Sequence, residues 1–217
     1  MGEVLTVFLG VVLTGVLGFG GHGEAIVLPL LATQILWINL ITDSGPALAM
    51  GIDPHSEDVM TRKPRGLGER VIDARMWAGV IQTGLVMAVV TLLTMDIYLP
   101  GGLIDGGRDF DNARTAGFTV LVFAQLFNCF NARSEDASAF RRIFVNPWLW
   151  STIGLSLLLQ LAVVNSALLN VAFGTVPLTG DQWLVCAVMA SFVLWASELC
   201  KLIARGTHKP HHTSTFK

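Results

Sequence analysis

The chain has 217 residues, of which 53% are hydrophobic and 14% charged, with a formal net charge of −2 and a mean hydropathy of +0.61. A soluble domain usually carries about 25% charged residues, so a soluble globular domain is excluded, and a charge near zero offers nucleic acid no footing. The composition is that of an all-α integral membrane protein.

In chain order, six segments are apolar and about long enough to cross a bilayer, which takes about 20 residues each. The first covers residues 2–20. It opens Met1-Gly2-Glu3-Val4 already inside an apolar run, without a basic flank or a small-residue cleavage site. That argues against a signal peptide and reads as a chain starting partway through a helix. Glu3 is then followed by 17 residues without a charge. Its position at the start of the chain suits a solvated helix end; a helix continuing upstream would carry it to membrane depth.

The second span, 25–50, is interrupted by Gly45-Pro46. The other spans cover 76–99, 116–132, 148–171 and 182–203. Trp148, Trp150 and Trp183 stand at span ends, where an aromatic belt forms. The glycine- and aspartate-rich stretch from Gly101 to Asp111 marks an exposed loop. Residues 1–205 are expected to form one transmembrane domain, and 206–217, ending HKPHHTSTFK, a disordered tail.

Lys and Arg fix the expected orientation. Of the 14 basic residues, 12 fall after the second span, after the fourth span or at the end of the chain, all on one side. Only Arg108 and Arg114 fall on the other. The basic loops and the tail are therefore expected to be cytoplasmic. The three cysteines, Cys129, Cys186 and Cys200, show no disulfide or metal spacing.

The second span carries the chemistry. Asn39, Thr42 and Asp43 stand at i, i+3 and i+4, on one face of a helix. An aspartate at mid-bilayer costs about 2.5–3.5 kcal/mol, so it faces a partner or a cavity. Pro46 brings no N–H to the Thr42 carbonyl, and Gly45 lets the chain open. A free carbonyl beside a carboxylate, an amide and a hydroxyl suits a hard cation, calcium rather than zinc or copper. A proton relay through Asp43 and plain polar packing between helices remain open on the same residues. Gln125 and Asn128 form a second i, i+3 pair, read either as interhelical hydrogen bonds or as ligands.

The stretch QILWINLITDSGPALAMGIDP resembles the sixth transmembrane helix of P-type calcium-transporting ATPases, with Trp37, Asn39, Thr42, Asp43, Pro46 and Gly51-Ile52-Asp53-Pro54 in the family's order. MGEV resembles the ion-binding part of its fifth helix, and DVMTRKPR the cytoplasmic loop after the sixth. FNARSE and NPWLW resemble the passage from the eighth helix to the ninth, and DQWLVCAVMASFVLWASELCKLIAR the tenth. The resemblance spans essentially the whole chain before the histidine-bearing tail. It implies six transmembrane helices matching the fifth (truncated) to the tenth.

It further implies that Glu3, Asn39, Thr42 and Asp43 give oxygens to transported Ca2+, with Asp43 central. Pumps with two calcium sites have glutamate at the position of Gln125. A neutral residue there implies one ion, with Gln125 and Asn128 peripheral. The family's phosphorylated Asp-Lys-Thr-Gly-Thr segment does not occur in the 217 residues, nor does a glycine-rich phosphate loop. ATP and Mg2+ are then expected to act only through phosphorylation, nucleotide-binding and actuator domains outside this sequence, leaving the chain inactive alone. In the intact pump, phosphorylation would move the helices carrying Glu3 and Asp43, and protons would return on the emptied carboxylates. The expected partners are the lipid bilayer and the remainder of the pump, in the plasma membrane, with loop 53–73 a candidate contact with the phosphorylation domain. The alternatives are a pump for manganese, sodium or protons, a stand-alone ion-binding or channel-like membrane protein, and a module that only braces another polypeptide.

Overall fold

The computed structural model describes residues 1–13, 29–52, 74–99, 109–132 and 146–207. Among them every regular element is helical: α1 (Gly2–Val12), α2 (Ala32–Ile38), a π-helical turn (Asn39–Asp43), α3 (Ser44–Gly51), α4 (Ala74–Tyr98), α5 (Phe110–Ala132), α6 (Pro147–Asn165), α7 (Ala167–Phe173) and α8 (Gly180–Thr207). The basic loops 53–73 and 133–145 and the tail from residue 208, on which the orientation argument rests, lie outside the described residues.

Among the described residues, four helices are long and apolar enough to span a membrane: Met76–Tyr98, Phe110–Ala132, Pro147–Asn165 and Gly180–Ile203. The other two expected spans take another form. Gly2–Val12 is a shorter apolar helix, and the second span is a rod of three segments, α2, the π turn and α3.

Three boundaries differ from the expectation for physical reasons. The fourth span begins at Phe110, not 116, because the polar residues of its first turns bond one another: Arg114 Nη2 lies 2.7 Å from Asp111 Oδ1 and 3.2 Å from the Gly174 carbonyl. The fifth span ends at Asn165, not 171. Ser166 is extended (φ −88°, ψ 123°), and α7 follows as a separate turn closed by Gly174 at φ +59°, a conformation that suits glycine. Thr175 Oγ1 donates to the Val163 carbonyl (3.0 Å), serving one of the acceptors that the break strands. The sixth span continues through Thr207, into the expected tail.

α5 is the central helix. It buries 72% of its membrane-length window, against 22% for α8, which faces outward. Ala113, Ala116, Gly117 and Ala124 let α4 and α8 approach its axis closely. Its buried Thr115 and Thr119 bond back to the Asp111 and Thr115 carbonyls (2.7 and 2.8 Å), so they burden no neighbour with an orphan hydroxyl. Outward faces carry Val80, Ile81 and Leu85 on α4, Leu155 and Leu158 on α6, and Leu184, Val188 and Phe192 on α8, which suits hydrocarbon.

A Cβ at Gly117 would run into Cγ and Sδ of Met95 on α4, beside Thr91. Gly117→Leu is therefore expected to force α4 away from α5 and to lower stability by about 1–3 kcal/mol. Thermal unfolding in detergent, followed by tryptophan fluorescence, measures it.

Candidate functional site

The described part of the second span is held from outside at both ends. At its start, Gln34, fully buried, accepts from the Leu31 N–H (3.1 Å) and donates to the Phe173 carbonyl (3.0 Å). One turn on, Trp37 Nε1 donates to Gln160 Oε1 (3.2 Å) and stacks edge-on against Phe173. Gln160 Nε2 in turn donates to Thr119 Oγ1 (3.3 Å), linking the second span through α6 to α5. At the far end Asn146 Nδ2 donates to the Ala49 carbonyl (2.8 Å), while its Oδ1 caps α6 by accepting from the Leu149 N–H (3.2 Å).

Between these anchors the helix widens into the π turn, Asn39–Asp43. Such single wide turns recur at functional sites. They shift the hydrogen-bond register from four residues to five, and that shift decides which carbonyl Pro46 strands. Pro46 has no N–H for Thr42, four residues back, or for Ile41, five back. Ser156 of α6, 3% exposed, donates its hydroxyl to the Ile41 carbonyl at 3.2 Å. The expected interruption at Gly45-Pro46 thus lies one turn earlier, as a π turn rather than an opened chain. Gly45 and Pro46 stand in the first turn of α3, which continues without a break from the π turn. Gly45 faces Thr152 of α6 at ordinary packing distance, with room for a Cβ 3.6 Å away.

Glu3 and Asn39, 36 positions apart in sequence, meet at this turn. Glu3 is 8% exposed, and its Oε2 accepts from Asn39 Nδ2 at 3.0 Å. The same Nδ2 donates to the Ile35 carbonyl (3.0 Å). This directs the amide nitrogen at α1 and leaves Oδ1 as the amide's ligand-capable atom. The backbone of Thr42 and Asp43 lies in the π turn, and their side chains lie outside the described residues. Without them, no three His, Cys, Asp or Glu side chains converge among the described residues. What does converge is a carboxylate, an amide and a distorted backbone: oxygen chemistry suited to a hard cation.

Gln125 and Asn128 are not part of that group. They line a cavity of about 550 Å³ between α1, α4, α5 and α8, together with Met1, Gly2, Gln82, Asn131, Ser197 and Lys201. Cys129 and Cys186 are buried thiols outside any disulfide, and Cys200 accepts from Gln82 Nε2 at this cavity's wall. Ser156, Gln160 and Asn146 were invisible to the sequence reading. Each is one polar residue in an apolar helix. Their spacing of 10 and 4 positions along one face of α6 is a weak signal that becomes specific only beside the second span.

A family model described as cation transporting ATPase, C-terminus, matches residues 27–203. The chain is 36% identical over 170 residues to a calcium-transporting ATPase of Bacillus subtilis, covering 77% of this chain and 18% of that protein. It is 32% identical over 216 residues to calcium-transporting ATPase 1 of Bacillus cereus, covering 93% of this chain and 23% of that one. It is 34% identical over 176 residues to calcium-transporting ATPase type 2C member 2 of mouse, covering 80% and 18%. The chain thus spans about a fifth of the length of these relatives.

Ser156→Ala removes the hydroxyl from the Ile41 carbonyl and is expected to cost about 1 kcal/mol. Ser151→Ala is the control, since its hydroxyl bonds only the Pro147 carbonyl of its own helix and its loss should leave the melting midpoint unchanged. Parallel thermal melts in detergent compare the two.

Proposed function

Because the chain belongs to the P-type cation-transporting ATPases, as their C-terminal membrane domain, we propose that it carries the ion-binding core of an ATP-driven calcium transporter. The observation that supports this most is the buried Glu3–Asn39 contact at the π turn. A glutamate taken out of water without purpose is costly. Here it is aimed at the widened turn that also carries Thr42 and Asp43.

In this reading, Glu3 and Asp43 supply the negative charge, and Asn39 Oδ1 and the Thr42 hydroxyl complete an oxygen cage. The Thr42 carbonyl, four residues before Pro46, is a further candidate. Two carboxylates and several neutral oxygens at a tunable spacing suit calcium. The relatives, named as calcium-transporting ATPases, favour it over manganese, sodium or protons. One ion is bound, because Gln125 and Asn128 line another cavity and bring no carboxylate.

ATP hydrolysis and its Mg2+ belong to domains outside these residues, so the chain alone binds the ion without turning over. Its remaining partners are the lipid bilayer and the rest of the pump. The basic residues that follow the second and fourth spans and end the chain support a cytoplasmic side for those ends, in a domain of the plasma membrane. The anchors from α6 and α7 hold the second span while α1 brings Glu3 to it. Relative movement of α1 against the π turn would open or close the cage, the simplest way for a distant phosphorylation to change affinity.

Calcium titration of the purified full chain in detergent tests this. One saturable site is expected, weakened at least about tenfold by Glu3→Gln or by Asp43→Asn, and changed less than about twofold by Gln125→Ala. Unchanged binding in both acidic variants sinks the assignment. Tighter binding of manganese than of calcium would reassign the ion.

A further inference from the structure

One hydroxyl of α6 behaves unlike its neighbours. Ser151 and Thr152 donate to the Pro147 and Leu149 carbonyls of their own helix (3.0 and 2.9 Å), the usual outlet for a hydroxyl inside a helix. Thr6 of α1, Thr94 of α4 and Thr119 of α5 do the same on their own helices. Ser156, 3% exposed, instead reaches across 115 positions of sequence to the Ile41 carbonyl of the π turn, at 3.2 Å. One turn back, Thr152 lies at ordinary packing distance from Gly45. α6 thus lies against the turn and the start of α3 with short side chains.

The choice of carbonyl matters. Where the helix register is four residues, Pro46 lacks the N–H for Thr42. Where it is five, Pro46 lacks the N–H for Ile41. Either register strands one carbonyl, so the backbone alone would take the α register, of which the π turn is the rare exception. The α register would also give Ile41 the Gly45 N–H, four residues on. A donor fixed at Ile41 reverses that preference, because it serves the carbonyl that only the five-residue register strands.

The register decides where the site residues stand. One residue more or less turns the helix that precedes it against the helix that follows by about 100°. α2 is fixed by Gln34 and Trp37, and α3 by the bond from Asn146 to the Ala49 carbonyl. With both segments held, the extra residue is taken up within Asn39–Asp43. It sets the angle at which Asn39 meets Glu3 relative to the backbone of Thr42 and Asp43. Gln160 and Asn146 hold the segments on either side, and Ser156 holds the turn itself.

We propose that Ser156 is a positioning residue for cation binding: by donating to the Ile41 carbonyl it selects the π register, and through it the placing of Asn39, Thr42 and Asp43 about the ion. It does not touch the ion. The inference rests on the calcium reading above. Apparent affinity falls with the fraction of chains in the competent register, so loss of Ser156 lowers affinity while every ligand stays in place in the sequence.

Calcium titration of the purified full chain in detergent tests it, together with hydrogen exchange of peptides covering residues 35–52 without calcium. Ser156→Ala is expected to weaken calcium about three- to tenfold and to speed exchange in the turn. Ser156→Thr keeps the hydroxyl and should bind within about twofold of the wild type. Thr175→Val is the stability control. It also takes a hydroxyl from a stranded carbonyl, that of Val163 on α6, and should change calcium affinity less than about twofold. The sharpest comparison uses Pro46→Ala, which returns a backbone N–H to position 46. In that background Ser156→Ala should weaken calcium less than about twofold, since the donor it removes is no longer needed. Exchange rates follow the same cycle, so it can be read even where Pro46→Ala itself weakens calcium.

Equal weakening by Ser156→Ala and Thr175→Val would reduce Ser156 to general stability and overturn the proposal. An undiminished effect of Ser156→Ala in the Pro46→Ala background would overturn it too, because Ser156 would then act other than through the stranded carbonyl. Calcium binding lost in Glu3→Gln but unchanged in Ser156→Ala overturns this inference and leaves the calcium reading standing. A wild type with no saturable calcium site overturns both.

Discussion

Every backbone polar group at membrane depth must find its partner inside the protein, and the run from Ala32 to Gly51 breaks its own ladder. The π turn changes the register over Asn39–Asp43, and Pro46 withdraws a donor three residues beyond it. α6 makes this tolerable. Its Ser156 serves the Ile41 carbonyl, its Asn146 cap serves Ala49, and its Gln160 ties Trp37 to Thr119 of α5. Each bond is modest alone, about 1 kcal/mol in a membrane. Together they fix both ends of a helix whose middle is irregular, so the irregular part keeps one geometry. A cation site needs that: oxygens pre-placed by a frame that does not move when the ion leaves.

The frame depends on α5. A central helix of small residues lets α4 and α8 pack close on two sides, and its hydroxyls satisfy themselves along their own backbone. Close packing at Gly117 and Met95 gives way toward the basic end of the same bundle. There α4, α5 and α8 enclose a cavity with polar walls. The tight and the open regions lie on the same three helices, and side-chain volume separates them: Met95 and Phe118 fill one level, and Gly79 leaves the other open.

What the sequence made legible follows what each signal averages over. Hydropathy sums about 20 residues, and so it located the four membrane-length helices found among the described residues. It misplaced their ends where single contacts decide. Asp111 and Arg114 read as loop residues until their ion pair lets them begin α5. Ser166 reads as one more small residue inside a span, although its extended backbone ends α6. Within the candidate site, the i, i+3, i+4 spacing of Asn39, Thr42 and Asp43 and the presence of Pro46 were legible, because they are local. The π turn was not, since its cause is spread over Pro46, Ser156 and the packing of α6. The meeting of Glu3 with Asn39 could be suspected from Glu3's isolation among apolar residues, but the contact is made by tertiary packing alone. The cavity that separates Gln125 and Asn128 from the turn is likewise a property of four packed helices and of no segment.

The Glu3–Asn39 bond bears on how a site of this kind can stay empty. A carboxylate away from water needs a hydrogen bond or a counter-charge. Asn39 Nδ2 supplies one at 3.0 Å, anchored by its second bond to the Ile35 carbonyl. If Glu3 is a calcium ligand, the ion does not enter a vacant cage. It competes with an amide that already stabilises one carboxylate oxygen. The cost of displacing that amide is then subtracted from affinity, and it is recovered when the ion leaves. An amide fits this role better than a lysine would. A fixed ammonium would cancel the charge that attracts the cation, whereas a neutral donor stabilises the empty carboxylate and still offers its own oxygen to the bound ion. Asn39 stands at the first residue of the widened turn, where a rotation of its side chain suffices to exchange the one role for the other.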